Sequence, residues 1–133
     1  MSAVDRLEIL VVEDDPVYCE FVADTLRSAG HSVVIAADGA TARLRARERL
    51  LDAVILDLAL PDESGYDLAR ALRREVLARG AVIILLTANM YPELDKAQAV
   101  GIDLVLSKPI EPALVAGMVD HVLARRKKQL DRT

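Results

Sequence analysis

The chain has 133 residues, 53% of them hydrophobic and 29% charged, with a formal net charge of -4. That length suits one domain with an enclosed core, and the balance excludes a disordered polyelectrolyte. The acidic sign argues against direct nucleic-acid binding, and no apolar run approaches the ~20 residues of a membrane span.

Residues 7–12 are apolar apart from Glu8 and predict a first strand. It ends abruptly in Glu13-Asp14-Asp15-Pro16. Asp15 is a natural N-cap and Pro16 suits the first helical position, so a helix follows to about residue 29. Phe21, Val22, Thr25 and Leu26 are expected to form its buried stripe, and Gly30 to stop it. Cys19, the single cysteine of the chain, reads as a small, partly buried helix residue.

Residues 32–36 predict a second strand, and Asp38-Gly39 turns into a second helix over about 40–51. Leu44, Leu50 and Leu51 are expected to face inward there. Arg43, Arg45, Arg47 and Arg49 read as a solvated face rather than an anion site. The third strand, 53–57, runs four apolar residues into one carboxylate, Asp57. Unbroken apolar strands suit a parallel sheet covered on both faces. A loop over 59–64 leads through Gly65 into a third helix carrying Leu68, Leu72, Val76 and Leu77, stopped at Gly80.

Residues 81–86 predict a fourth buried strand, ending at Thr87-Ala88. Pro92 is expected to open a short fourth helix through Val100. A fifth strand over 102–106 ends in Ser107-Lys108-Pro109. Pro112 opens the last helix, with Leu114, Val115, Met118, Val119, Val122 and Leu123 on one face. The tail Arg125-Arg126-Lys127-Lys128 continues it, with basic charge that suits a helix C-terminus.

Five strands alternating with five helices define an α/β fold, a parallel sheet with helices on both faces. One domain over 1–133 is expected, its core at 7–124 and a basic helical tail or linker at 125–133. In such a sheet the strands' C-terminal ends share one edge, where ligands bind. That edge collects Glu13 and Asp14 from the first strand, Asp57 from the third, Thr87 from the fourth and Lys108 from the fifth. Three close carboxylates repel and require a cation, for which oxygen-coordinated Mg²⁺ is the natural candidate. Thr87 and Lys108 are then a hydroxyl donor and a point charge for an incoming anion. A carboxylate nucleophile, a metal and a cation around one anion describe phosphoryl transfer onto aspartate.

Four segments in order strengthen that inference: Ile9-Leu10-Val11-Val12-Glu13-Asp14-Asp15, Leu56-Asp57-Leu58-Ala59-Leu60-Pro61 with Ser64-Gly65, Leu86-Thr87-Ala88, and Ser107-Lys108-Pro109. Over about residues 7–124 the sequence resembles the receiver domain of bacterial two-component response regulators. The resemblance implies a flavodoxin-like sheet of order 2-1-3-4-5. It implies Asp57 as phosphoacceptor, and Glu13, Asp14, Asp57 and the Ala59 carbonyl as Mg²⁺ ligands. Thr87 matches the hydroxyl that contacts the phosphoryl group, and Lys108 its ion-pairing partner, followed by a cis bond to Pro109. Ala59 and Asn89 stand at the positions that influence phosphoryl lifetime.

The implied partners are a histidine kinase or histidine phosphotransfer domain upstream and an unidentified output protein or domain downstream. Tyr18, Phe21 and Asp24 resemble the face that docks the phosphodonor, although ordinary packing accounts equally for Tyr18. A weak homodimer through the last helix is compatible with the pattern. The implied activity is the chain's own phosphorylation and dephosphorylation rather than turnover of a substrate. The lack of an apolar leader in residues 1–6 adds the expectation of a cytoplasmic location.

One position departs from the family. Val105 stands where a Tyr or Phe usually swings inward after phosphorylation. That departure supports a competing reading, an interaction module of the same fold that is not phosphorylated. A haloacid-dehalogenase-type phosphatase would want a second Asp at Ala59, and a nucleotide binder a glycine-rich loop after the first strand. His31 and His121 lack metal-ligand spacing and read as structural or surface residues.

Overall fold

β-branched and leucine side chains fill the strands, and the first three helices begin at residues that cap them. The computed structural model describes residues 6–89 and 92–131, with the backbone alone beyond Arg125. Its strands are β1 (Glu8–Val12), β2 (Ser32–Ala36), β3 (Ala53–Asp57), β4 (Val82–Thr87) and β5 (Leu104–Ser107). The helices are α1 (Pro16–Ser28), α2 (Gly39–Ala46), α3 (Gly65–Leu72), α4 (Leu94–Ala99) and α5 (Pro112–Asp131). The sheet order is β2-β1-β3-β4-β5 with every pairing parallel, the flavodoxin-like order that the family resemblance implies.

Alternation along each central strand divides the core into two layers. Leu10, Val12, Val54, Leu56, Ile83 and Leu85 pack toward α2, α3 and α4. Ile9, Val11, Ile55, Val82, Ile84 and Leu86 pack toward α1 and α5. All of β3 is buried, so each of its aliphatic side chains contributes about 1.5–3 kcal/mol by leaving water. Asp57 ends that strand, and the polar end of a wholly apolar element is thereby fixed at the sheet edge.

Local chemistry sets the element starts. Asp15 caps α1, accepting from the backbone N–H groups of Val17 and Tyr18, with Pro16 at the first turn. Asp38 caps α2 through Thr41 N, and Ser64 caps α3 through Tyr66 N and Asp67 N. Gly65 begins α3 against the end of β3. A Cβ there would lie 2.6 Å from the Asp57 carbonyl oxygen and 2.8 Å from Leu58 Cα, so only glycine admits this approach.

Several expected faces are corrected. In α1 the buried residues are Cys19, Val22, Ala23 and Leu26, while Phe21 is exposed and Thr25 half-buried. The helix turns its Cys19–Val22–Leu26 side to the sheet, which carries Phe21 outward. α2 ends at Ala46 instead of near 51, because Leu51 N–H leaves the helix to bond the Leu77 carbonyl at 2.8 Å. Leu51 is buried, but Leu44 and Leu50 are exposed. α3 ends at Leu72, and turns over 73–80 leave Val76 exposed. β4 and β5 each start later than expected, and α4 starts at Leu94 rather than Pro92. On α5, Leu114 is exposed while Val115 and Val119 are buried. The expected basic side chains at 126–128 lie outside the described residues.

The arginine series of α2 is engaged by the chain's own carboxylates. Arg43 pairs with Glu63 and Arg45 with Glu48, while Arg47 meets Glu75 and Arg49 lies 3.9 Å from Glu8. Two arms of the β3–α3 loop hold the start of α2. Asp62 accepts from Gly39 N at 2.8 Å and Ala40 N at 3.0 Å, and Glu63 binds Arg43 through both carboxylate oxygens.

Candidate functional site

Each central strand delivers one chemical group to the same edge. Glu13 follows β1 and is buried, as are Asp57 at the end of β3 and Thr87 at the end of β4. Lys108 follows β5 and keeps one fifth of its side chain exposed. Asp14 is exposed. One oxygen each of Glu13, Asp14 and Asp57 lies within 4.8 Å of the others, so the three predicted acids meet in space.

Lys108 is the electrostatic centre of the cluster. Its ammonium donates to Glu13 Oε1 and, at 3.1 Å, to Asp57 Oδ2. Burial alone would lower its pKa, but the bonds to Glu13 and Asp57 outweigh that effect and raise it. Burial, reinforced by the neighbouring Asp57, pushes the Glu13 carboxyl up to about 7 against the pull of Lys108. The other Glu13 oxygen, Oε2, is buried without a hydrogen-bond partner. A buried carboxylate oxygen left unpaired is costly, and beside two further carboxylates its chemistry suits a cation.

Around these charges the backbone adds direction. Ala59 N–H donates to Asp57 Oδ1 at 3.2 Å, fixing the carboxylate from the loop side. Thr87 Oγ1 accepts from Asn89 N at 2.9 Å, which leaves its hydroxyl proton to donate elsewhere. An isolated bridge between Ala59 and Ser64 closes the loop that carries Ala59. The expected cis bond is present between Lys108 and Pro109.

Packing of Tyr18 was one of its two sequence readings, but its contacts were not anticipated, nor was a second feature. Tyr18 turns inward, where its hydroxyl donates to the Ile110 carbonyl at 3.0 Å and its ring centre lies 5.0 Å from Lys108 Nζ. Its spacing of four residues from the buried Val22 was the available signal. The tie of Asp62 and Glu63 to α2 had none, because it joins residues 20 or more positions apart.

Val105 is half-buried and lines a groove of about 520 Å³ with Leu94, Ala97, Gln98 and Ile102. His31 is buried and structural. Its Nδ1 accepts from Leu7 N at 3.1 Å, and Nε2 faces Asp120 at 3.6 Å. His121 is exposed.

Comparison with known proteins converges on one family. Residues 9–120 match the model described as the response regulator receiver domain. Over 127 residues the chain is 36% identical to the probable transcriptional regulatory protein TcrX of Mycobacterium tuberculosis, covering 94% of this chain and 50% of TcrX. It is 34% identical over 112 residues to the sensor histidine kinase AruS of Pseudomonas aeruginosa, covering 82% of this chain and 11% of AruS. The chain thus spans half of one relative and about a tenth of the other. Among solved structures it is similar to the receiver domain of the sensor histidine kinase PA1611 of Pseudomonas aeruginosa PAO1, described with a magnesium ion coordinated in its active-site cleft. That match has a TM-score of 0.79 at 32% identity, covering 90% of this chain and 99% of the other.

Proposed function

The chain belongs to the response regulator receiver domain family, whose members act in two-component signalling, and on that premise we propose that Asp57 accepts the phosphoryl group. The observation that carries this assignment is the Lys108 ammonium bonded at once to Asp57 and Glu13, within a cluster of three converging carboxylates. Residues 7–124 form the receiver core in this reading.

The acid cluster suits a hard divalent cation, because its donors are all oxygen and one of them, Glu13 Oε2, is buried without a partner. Glu13, Asp14, Asp57 and the carbonyl of Ala59 would hold Mg²⁺. When bound, that ion neutralises charge on the phosphoryl oxygens.

The chain's own groups account for the rest. Asp57 attacks phosphorus with one carboxylate oxygen while the bond from phosphorus to the donor nitrogen breaks. The electron pair leaves with the imidazole, and an acyl phosphate remains on Asp57. Lys108 moves its charge to the incoming phosphoryl oxygens, and the Thr87 hydroxyl donates to one of them. Attack by water on phosphorus later returns Asp57 and inorganic phosphate. This is self-phosphorylation and self-dephosphorylation, in which most of the catalysis is positioning.

A histidine kinase or histidine phosphotransfer domain is the natural donor. The outer side of α1 offers exposed Val17, Phe21 and Asp24 as a docking face. The output partner belongs to the part of the signalling system that this chain does not identify. Among the described residues no helix is long and apolar enough to cross a membrane.

The decisive experiment is incubation with acetyl phosphate and Mg²⁺ followed by intact mass measurement. Wild type is expected to gain one phosphoryl mass and Asp57→Ala none. Equal gain by Asp57→Ala, or no gain by wild type, would sink the assignment.

A further inference from the structure

We infer that Tyr18 is a positioning residue for Lys108, its ring holding the ammonium beside Asp57 and its hydroxyl tying α1 to the segment after Lys108. The inference rests on the roles proposed above for Asp57 and Lys108, and extends them to a side chain outside the acid cluster.

A lysine is poorly suited to hold a fixed direction. Its ammonium is a point charge on a flexible stem, and ordering that stem costs rotamer entropy. Here the Lys108 ammonium is bonded at once to Glu13 and Asp57. Phosphoryl transfer needs the ammonium on the Asp57 side, because only there does it meet the charge developing on the phosphoryl oxygens. A third contact would narrow the freedom of the stem further.

Tyr18 has the geometry to do so. Its ring centre lies 5.0 Å from Lys108 Nζ, within the distance at which an aromatic face attracts a cation. The ring is itself held at both ends. At one end the backbone sits in the first turn of α1, where Tyr18 N–H faces the Asp15 cap. At the other the hydroxyl donates to the Ile110 carbonyl at 3.0 Å, two residues beyond Lys108. Burial raises the phenol pKa, which keeps the hydroxyl protonated and donating.

One residue thereby joins the acid loop, the lysine and the chain entering α5. An aliphatic side chain at 18 could fill the same partly buried space. It would offer neither a π face to the ammonium nor a donor to Ile110. Phenylalanine would keep the first and lose the second.

The test is a double-mutant cycle on the rate of phosphorylation by acetyl phosphate with Mg²⁺, followed by intact mass. Tyr18→Leu is expected to slow the reaction about five- to tenfold and Tyr18→Phe by less than about twofold, since the ring is retained. In a Lys108→Gln background, Tyr18→Leu should alter the residual rate by less than about twofold, because the group it positions is gone. An unchanged rate in Tyr18→Leu, or the same loss with and without Lys108, would overturn the inference. Side-chain NMR supplies a readout that needs no turnover. The Hε protons of Lys108 should lie upfield in wild type of their position in Tyr18→Leu, and equal positions in the two proteins would also overturn it. Wild type that resists phosphorylation would defeat the Asp57 assignment instead, leaving the Lys108 resonance to decide the placement of Tyr18.

Discussion

The two edges of the sheet are built from similar residues and treat them in opposite ways. At the edge where the strands begin, polar side chains satisfy backbone groups of the chain. His31 accepts from Leu7 N, Asp52 from Glu8 N and Asp103 from Ile83 N. Arg73 reaches from the end of α3 to the carbonyls of Gly101, Arg79 and Ala81, and to Asp103. At the edge where the strands end, carboxylates face one another, share a single ammonium and leave Glu13 Oε2 without a partner. The strand-start edge directs most of its polar side chains to backbone partners, although Glu8 Oε2 and Arg49 Nε are buried there without a hydrogen bond; the strand-end edge instead turns like charges toward one another. What separates the edges is crowding of like charge: carboxylates converging on one ammonium suit a binding site, while backbone-directed side chains at the opposite edge contribute stability.

The sharpest way to break this comparison is to disarm the strand-start edge. Arg73→Met removes the donors for several carbonyls and leaves Asp103 without its 3.1 Å ion pair. It should lower the unfolding free energy by about 3–4 kcal/mol, because partly buried acceptors lose charged donors without gaining water. A urea denaturation curve measures this. A loss below about 1 kcal/mol would show that the strand-start edge is ordinary surface.

The strand-end edge should respond with the opposite sign. Burial, with Asp57 beside it, raises Glu13 from 4.5 to about 7, so between those values the native state binds more protons than the unfolded chain. Stability of the metal-free protein should therefore fall as pH rises from about 4.5 to 7, in total by about 2–3 kcal/mol from this group. Glu13→Gln has no such proton to release and should flatten the curve, making the variant the more stable protein at pH 7.5. Saturating Mg²⁺ should remove most of the wild-type slope, since a bound cation favours the ionised carboxylate. Parallel pH profiles for wild type and variant would contradict the charge-crowding account.

These contrasts bear on what a sequence can reveal. The fold was legible because apolar runs alternating with amphipathic segments leave few topologies, and Asp15, Asp38 and Ser64 mark helix starts by local hydrogen bonding. The acidic cluster was legible because parallel strands carry their ends to one edge, so Glu13, Asp57, Thr87 and Lys108 needed only their positions after apolar runs. Helix faces were less so. Phe21, Leu44, Val76 and Leu114 are apolar at plausible helical spacings, yet all are exposed, because neighbouring elements decide which arc of a helix is covered. The Asp62–Glu63 contacts with α2 and the reach of Arg73 to Gly101 were invisible, since each joins groups 20 or more positions apart.

That last contact offers a smaller test, on the loop that carries Ala59. Arg43 holds Glu63 through two hydrogen bonds, and a Cβ on Gly39 would lie 2.0 Å from Glu63 Oε2, so glycine gives that carboxylate its place over α2. Arg43 is 40% exposed, which limits the pair to about 0.5–1 kcal/mol of stability. Arg43→Ala should lower stability by that amount, measured by denaturation, while faster amide exchange appears over 59–64 and at the start of α2. Unchanged exchange in both segments would show that the loop holds its form without this tie.

The smallest expected effect on stability separates the surface of the strand-end edge from its chemistry. Phe21 is 59% exposed and Val17 63% exposed on α1, the helix that begins directly after the acid pair. Because neither lies among the buried residues, Phe21→Ser should change stability by no more than about 0.5 kcal/mol. Acetyl phosphate is too small to use an outer helix face, so its reaction with Phe21→Ser should run at the wild-type rate. In the proposed docking a phosphorylated histidine domain covers part of that face, and loss of an aromatic anchor there should slow transfer about tenfold or more. The two donors distinguish docking from chemistry in one variant. Equal rates from the protein donor would move its contact away from Phe21, whereas equal losses with both donors would show that this exposed ring acts on the acid cluster itself.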